Sequence, residues 1–413
     1  MEGRVGILVG GGPAPGINGV ISAAAMRLLA EGRTVMGIEQ GFKLIMQGDV
    51  SKVSPLSIQE ISRLHFRGGS ILKTARANPT KNPAHLKGSL TSLDRLDITD
   101  LITIGGDDTC FSALTLERAS AGRLRVVHVP KTIDNDLDLP QGIPTFGFET
   151  ARHLGTYAVK NILEDARTTG HWFFVTAMGR KAGHLALGIG KAAGATLTLI
   201  PEEFTERPVP LPKVADVLAG AMIKRLSEGR EDGVAVIAEG LAEIVDPRDL
   251  TDLNSISRDE HGHIELADLD LGRVLKETVL KRLAPYGLAP TIRLKDLGFE
   301  LRCADPIPFD MEYCRDLGCC AAEFLLKGQT GAMVAMVNGR FTPIPFHSIL
   351  DPNTQRTRVR MVDIASEPYI IARRYMIRLN AQDIESEDRL ARYAAVVGLT
   401  PSAFRERFAA AWR

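Results

Sequence analysis

Val5-Gly6-Ile7-Leu8-Val9 runs directly into Gly10-Gly11-Gly12-Pro13-Ala14-Pro15-Gly16, and the chain continues in an amphipathic stretch from Ile17 to Ala30. The opening run is apolar and too short for anything but a buried strand, while the stretch after the loop has helical spacing. A Gly/Pro loop between a strand and a helix brings backbone N–H groups to the helix start, where negative charge is favoured. The same unit recurs along the chain. Residues 101–104 are apolar before Gly105, 126–129 before Pro130, 172–177 before Met178 and 234–238 before Glu239. Fully apolar strands alternating with helical patterns predict parallel sheets with helices on both faces. The fold class is therefore α/β, and 413 residues suit two such domains better than one.

Composition bounds the function. Hydrophobic residues make up 45% of the chain and glycine occupies 39 positions, which fits a globular enzyme with many tight turns. Lys plus Arg and Asp plus Glu number 50 each. That balance argues against a broad footprint on nucleic acid or an acidic membrane, though not against a local anion pocket. Cys110, Cys303, Cys314, Cys319 and Cys320 form no CxxC pair, and their odd number reads as reduced cytosolic thiols. Cys319 and Cys320 are expected to pack within a helix. No apolar run reaches the ~18 residues of a membrane span and no signal peptide opens the sequence, so a soluble cytoplasmic protein is expected. The polar stretch 246–270 reads as an exposed excursion with a hairpin around His261 and His263. These histidines have no third ligand at metal-site spacing, which favours a solvated turn.

Ligands of parallel α/β sheets bind beyond the carboxyl ends of the strands, and the polar motifs of this chain all fall there. That convergence is what marks the chain as an enzyme. Gly10–Gly16 is neither a P-loop nor GxGxxG, and alone it is as consistent with a tight turn as with an anion site. In Gly105-Gly106-Asp107-Asp108-Thr109 two adjacent carboxylates follow a buried strand, an arrangement that is costly unless a cation or donors satisfy them. Mg²⁺, which takes a few carboxylates plus phosphate oxygens and water, suits Asp107; the bland alternative is that Asp108 or Thr109 caps the next helix. Pro130-Lys131-Thr132-Ile133-Asp134-Asn135-Asp136 gathers a cation, a hydroxyl and two carboxylates at one strand end. Phosphoryl transfer to an alcohol needs a base, a metal and cations of this kind. Met178-Gly179-Arg180-Lys181-Ala182-Gly183-His184 offers Arg180 as a planar clamp for a phosphate or sugar oxygen. Glu239-Gly240 follows, and Arg293 and Arg302 flank Leu297-Gly298-Phe299-Glu300-Leu301.

In this order the segments resemble the phosphofructokinase family. GGGPAPGIN is similar to its first phosphate loop, GGDDT to its metal motif, PKTIDND to its catalytic loop and MGRKAG to its sugar-binding turn. The likeness is strong over residues 5–191 and weaker over 234–336. It implies a phosphofructokinase fold of two Rossmann-like domains with the active site in the cleft between them. One domain, 1–147 with 303–365, would bind pyrophosphate and Mg²⁺; the other, 148–302 with 366–413, would bind the sugar phosphate. By the same resemblance Asp134 would be the base, Thr132 would help hold the reacting groups and Arg180 would serve the transfer. Asp107 would bind Mg²⁺, and Asp136 would orient the metal shell or the substrate. Gly11, Gly12, Arg76, Asp108 and Lys131 would meet the donor. Thr132, Asp134, Asp136, Met178, Gly179, Arg180, Glu239, Arg293 and Arg302 would hold fructose 6-phosphate. A homodimer or homotetramer and a readily reversible reaction are implied as well.

Two positions decide the donor within that resemblance. ATP-using members carry glycine after GGD and before TID, whereas this chain carries Asp108 and Lys131, the pair of pyrophosphate users. A carboxylate at Asp108 takes up the room of a nucleotide's α-phosphate and repels it. At ~4 Å and an effective dielectric of ~20 the repulsion is about 4 kcal/mol before screening. Lys131 meanwhile offers pyrophosphate a compact point charge. The alternatives are an ATP-dependent member, a pyrophosphate enzyme acting on sedoheptulose 7-phosphate, and a catalytically dead regulatory subunit; retention of Asp107, Asp134 and Arg180 argues against the last. The chain departs from the family at Ser22 and Met26, where allosteric bacterial members carry effector-binding arginines. It departs again at His171, where many members have an arginine reaching the 6-phosphate across a subunit interface, and at Phe299, which replaces a frequent His or Tyr.

Overall fold

A computed structural model gives the fold and describes residues 3–140, 142–250, 270–354 and 356–412. Most of the polar excursion, with His261 and His263, lies outside the described residues. The apolar runs form the expected strands: β1 (Arg4–Val9), β4 (Ile98–Gly105), β5 (Arg125–Pro130), β6 (Trp172–Ala177) and β8 (Gly233–Ala238), with a helix over Ile17–Ala30. Shorter strands complete the set: β2 (Val35–Ile38), β3 (Val53–Pro55), β7 (Leu197–Leu199), β9 (Ile292–Leu297), β10 (Ala332–Met333) and β13 (Ile344–Pro345), with a hairpin of β11 (Met336–Val337) and β12 (Arg340–Phe341).

The chain divides into two compact units. The first holds residues up to Ala151 together with Phe299–Arg360, and the second takes up the chain at Arg152, runs to Gly298 and resumes at Met361. In the first unit a seven-stranded sheet has the order β13-β10-β5-β4-β1-β2-β3. Its middle is parallel and its outermost pairs, β2 with β3 and β10 with β13, are antiparallel. Leu8, Leu101, Val126, Leu114 and Met333 belong to one buried cluster, as expected for strands covered on both faces. The second unit has a parallel sheet in the order β7-β8-β6-β9.

Residues after 361 pack on the second unit. Leu379, Tyr393, Phe404, Phe408 and Ala411 share one apolar cluster with the helix Leu211–Leu226. Arg378 pairs with Glu203 and Lys224 with Asp383, all four mostly or fully buried. No described helix is long and apolar enough to cross a membrane. The cysteines are free, but the packing expected of Cys319 and Cys320 fails in part. On the helix Pro308–Leu326 it is Cys314 that is buried, whereas Cys319 is exposed and Cys320 half-buried. The buried stripe of this helix runs through Cys314, Leu317, Gly318, Ala321 and Ala322, and Cys319 falls outside it, with Cys320 at its margin.

Candidate active site

In the first unit three strand ends converge on one another. β1 delivers Gly10, whose N–H binds the Ile104 carbonyl (2.9 Å), and Gly11, whose N–H binds the Ala75 carbonyl (3.0 Å). A side chain at Gly10 or Gly105 would collide with Thr109, so the two loops close over that residue only because both are glycine. Arg76 follows Ala75 and is exposed beside the first loop. After β4 the helix Asp107–Ala119 has Gly106, in an extended conformation, as its N-cap, with no side-chain cap bond. Neither Asp108 nor Thr109 is therefore the cap. Asp107 and Asp108 are instead the first two helical residues, half-buried, where the helix dipole favours negative charge.

β5 carries the next motif. The Gly105 carbonyl accepts from Lys131 N–H (2.8 Å) and from His128 Nε2 (3.0 Å). Because that carbonyl can only accept, the Nε2 proton is assigned, and Nδ1 must accept from Thr103 Oγ1 (2.8 Å). His128 is wholly buried, and burial pulls its pKa down to about 3, so the ring stays neutral. It pins the GGDD turn to the start of the PKTIDND loop. The sequence reading passed over it, although a lone histidine inside an apolar strand was a visible signal. Lys131 is also buried, and its ammonium donates to the Gly12 carbonyl, tying the third motif to the first. Thr132 Oγ1 accepts from the Asp134 N–H (3.0 Å), and the Thr132 carbonyl accepts from Thr145 Oγ1 (2.6 Å). Asp134 and Asp136 are buried on either side of Asn135, which holds the left-handed conformation at φ 58°.

Arg302 falls in this unit, whereas the reading of the sequence ends the other domain at residue 302. Short helical residues Phe299–Arg302 bring the guanidinium to the first loop. A Cβ on Gly12 would lie 3.2 Å from Arg302 Nη1. The guanidinium also stacks 4.5 Å from the Phe299 ring centroid, a cation–π contact that an aromatic residue supplies here.

The second unit gathers Met178, Gly179, Arg180 and Glu239 at the carboxyl ends of β6 and β8. The register pairs Ala177 with both Ala238 and Leu297. Met178 N–H binds the Leu297 carbonyl (2.9 Å) and Glu239 N–H binds the Ala177 carbonyl (3.0 Å). Glu239 Oε1 accepts from the backbone N–H groups of Gly179 (3.0 Å) and Arg180 (2.8 Å). Glu239 thus braces the turn, an arrangement its distance along the chain from Met178 concealed. Arg180 itself stands at φ 51°. Farther along the turn, Glu202 Oε1 accepts from Gly183 N–H (2.8 Å) and Val362 N–H (3.0 Å), and burial keeps its carboxyl above the usual carboxylate range.

Arg293 does not join that group. It is exposed near the amino end of the edge strand β9, opposite Phe173. The four residues from there to Leu297 span about 13 Å of strand. Its neighbour at that end is His171, next to Trp172, whose N–H binds the Thr291 carbonyl (2.9 Å).

The metal expectation can be tested on the donor set. Among the described residues no group of three or more His, Cys, Asp or Glu could cage a metal ion. The GGDD turn offers adjacent carboxylates at a helix start. That suits Mg²⁺, which keeps waters and takes phosphate oxygens rather than demanding an all-protein cage.

Comparison with known proteins places these features in a family. The phosphofructokinase model matches residues 4–325. The chain is 50% identical to a pyrophosphate–fructose 6-phosphate 1-phosphotransferase of Thermotoga maritima, covering 99% of this chain and 98% of that one. It is 46% identical to a protein of the same name from Naegleria fowleri, covering 98% and 94%. A solved structure of a pyrophosphate-dependent phosphofructokinase from Marinobacter aquaeolei superposes with a TM-score of 0.65 at 15% identity, over 96% of this chain and 91% of that one, a likeness of fold.

Proposed function

The chain belongs to the phosphofructokinase family, and we propose that it transfers a phosphoryl group from inorganic pyrophosphate to the 1-hydroxyl of fructose 6-phosphate. The products are fructose 1,6-bisphosphate and inorganic phosphate, and the reaction is reversible. The observation that carries this reading is Lys131. It is a buried cation whose ammonium donates to the Gly12 carbonyl and whose backbone N–H donates to the Gly105 carbonyl, so it presents a compact positive charge among the GGG, GGDD and TIDND motifs. A donor made only of phosphates matches that charge. Asp108, at the second helical position after β4, adds a carboxylate where a nucleotide's α-phosphate would be repelled. The names of the relatives at 50% and 46% identity point the same way.

In this reading the donor groups lie on the first unit, with Gly11, Gly12 and Arg76 around the phosphates and Lys131 neutralising them. Asp107 would hold Mg²⁺, which draws charge from the phosphoryl oxygens when bound. Asp134 takes the proton of the sugar hydroxyl. Its N–H bond to Thr132 Oγ1 fixes the loop that carries it, and Asp136 orients the substrate or the metal shell. Arg180, on the turn braced by Glu239, meets the transferring phosphoryl oxygens or the sugar, alongside Met178 and Gly179. Arg302, the arginine expected to hold the sugar phosphate, lies beside Gly12. Arg293 stands at the opposite end of β9 from the Arg180 turn, so a sugar contact by Arg293 would have to come from a second copy of the chain. Ser22 is buried and gives its hydroxyl to the Ile61 carbonyl (2.7 Å). It is a packing residue, and the first helix offers no effector phosphate a grip there.

The test is a donor titration of the purified protein with Mg²⁺ and fructose 6-phosphate, using pyrophosphate and ATP in parallel. Pyrophosphate should give the higher kcat/KM by at least ~10-fold, the factor that about 1.4 kcal/mol of repulsion at Asp108 supplies. A preference for ATP would replace this reading with the ATP-dependent one, and a higher kcat/KM for sedoheptulose 7-phosphate would change the sugar.

A further inference from the structure

Residues 357–360, the last of the first unit, run along the two acidic motifs. Thr357 Oγ1 donates to the Asp107 carbonyl (3.4 Å), Arg358 Nε donates to Asp138 Oδ2 (2.7 Å), and Val359 forms an antiparallel bridge with Leu137. The segment ends on Arg360. Its backbone N–H binds the Asp136 carbonyl (2.8 Å), Nε binds the Asn135 carbonyl (3.0 Å), Nη1 binds the Ile143 carbonyl (2.9 Å) and Nη2 binds Asn135 Oδ1. Three donors of one residue thus converge on Asn135 and Asp136, and the fourth ties the guanidinium to Ile143.

Asn135 is what they hold. A residue with a side chain at positive φ costs about 1–2 kcal/mol, although asparagine tolerates it better than most because its amide bonds locally. Asn135 Oδ1 accepts from Thr145 N–H (3.0 Å) as well as from Arg360. The chain reverses its local direction at this residue, so the conformation of Asn135 sets the angle between its two neighbours. A planar guanidinium reaching carbonyl and amide oxygens together fixes that conformation as a lysine cannot.

We infer that Arg360 is a positioning residue for the transfer: by holding Asn135 left-handed it aims the carboxylates of Asp134 and Asp136. This rests on the proposed reaction and adds to it a residue that lies past the family's matched segment, which ends at 325. Misplacing a reacting group by an ångström can cost on the order of 10²-fold, so loss of the brace should appear in turnover rather than in binding.

The experiment uses the full-length chain as wild type, Arg360→Ala and Arg360→Lys, with pyrophosphate and fructose 6-phosphate varied separately and a thermal melt of each protein. Arg360→Ala should lose at least ~30-fold in kcat while both KM values stay within about fourfold, the split expected of misalignment. Added guanidinium at tens of millimolar should restore about fivefold or more of kcat, and Arg360→Lys should fall between wild type and Arg360→Ala. The inference is overturned if Arg360→Ala keeps kcat within about threefold of wild type, if both KM values rise as much as kcat falls, or if guanidinium restores nothing. Should Arg360→Ala not fold, Arg360→Lys decides: at least ~5-fold lower kcat in a folded protein supports the brace, and a smaller loss overturns it. An inactive wild type would instead refute the proposed reaction, which separates the two failures.

Discussion

Glu239→Ala removes one carboxylate oxygen that serves two backbone N–H groups, and the cost can be worked from those bonds. Hydrogen bonds to a charged partner contribute about 1.5–3 kcal/mol each. Because Glu239 Oε1 takes both Gly179 (3.0 Å) and Arg180 (2.8 Å), the lower figure applies to each, about 3 kcal/mol together. Those bonds hold Arg180 at φ 51°, a conformation costing about 1–2 kcal/mol, and without them the turn relaxes and Arg180 leaves its place. A loss of about 3 kcal/mol corresponds to ~150-fold. Glu239→Gln keeps an accepting oxygen but loses the charge, which should halve the effect to about 1.5 kcal/mol, or ~10-fold. The assay is steady-state kinetics with fructose 6-phosphate and pyrophosphate varied in turn, beside a thermal melt. The sugar's kcat/KM should fall in the order wild type, Gln, Ala by these factors, while the KM for pyrophosphate stays within about threefold. If the Ala variant keeps the sugar's kcat/KM within threefold, or if the pyrophosphate KM moves as far as the sugar's, the bracing argument is wrong.

Further outcomes are expected at the strand-end motifs. Asp134→Asn should lower kcat at least ~10²-fold with little change in substrate affinity, the usual contribution of a positioned base; near-full turnover in a folded variant would remove Asp134 from that role. Asp108→Gly should raise ATP use from negligible to measurable, and Lys131→Gly should weaken pyrophosphate use, with non-additive effects in a double-mutant cycle of kcat/KM for both donors. Asp108→Gly should also cost about 1–2 kcal/mol in denaturant unfolding, from the lost charge at the helix start and the added glycine. An unchanged donor ratio would defeat the assignment of Asp108.

Local features could be read directly from the residues. An apolar run of strand length followed by a glycine loop and a helical period is complete within some thirty residues, so β1, β4, β5, β6, β8 and the helix Ile17–Ala30 were legible, as were the four motifs at their ends. The residue types in those motifs also state their chemistry, because carboxylates, a lysine and an arginine at strand ends mean the same thing wherever the strands pair. Contacts with partners far along the chain came from the three-dimensional fold. It placed Arg302 beside Gly12, left Arg293 at the opposite end of its sheet from Met178, joined Glu239 to the turn sixty residues before it, and laid Arg360 on a loop 225 residues away. A hydrogen bond between distant residues leaves no period or spacing in the sequence. Arginine in particular looks the same whether it faces solvent or holds three oxygens, and only sheet register and chain crossing choose between the two.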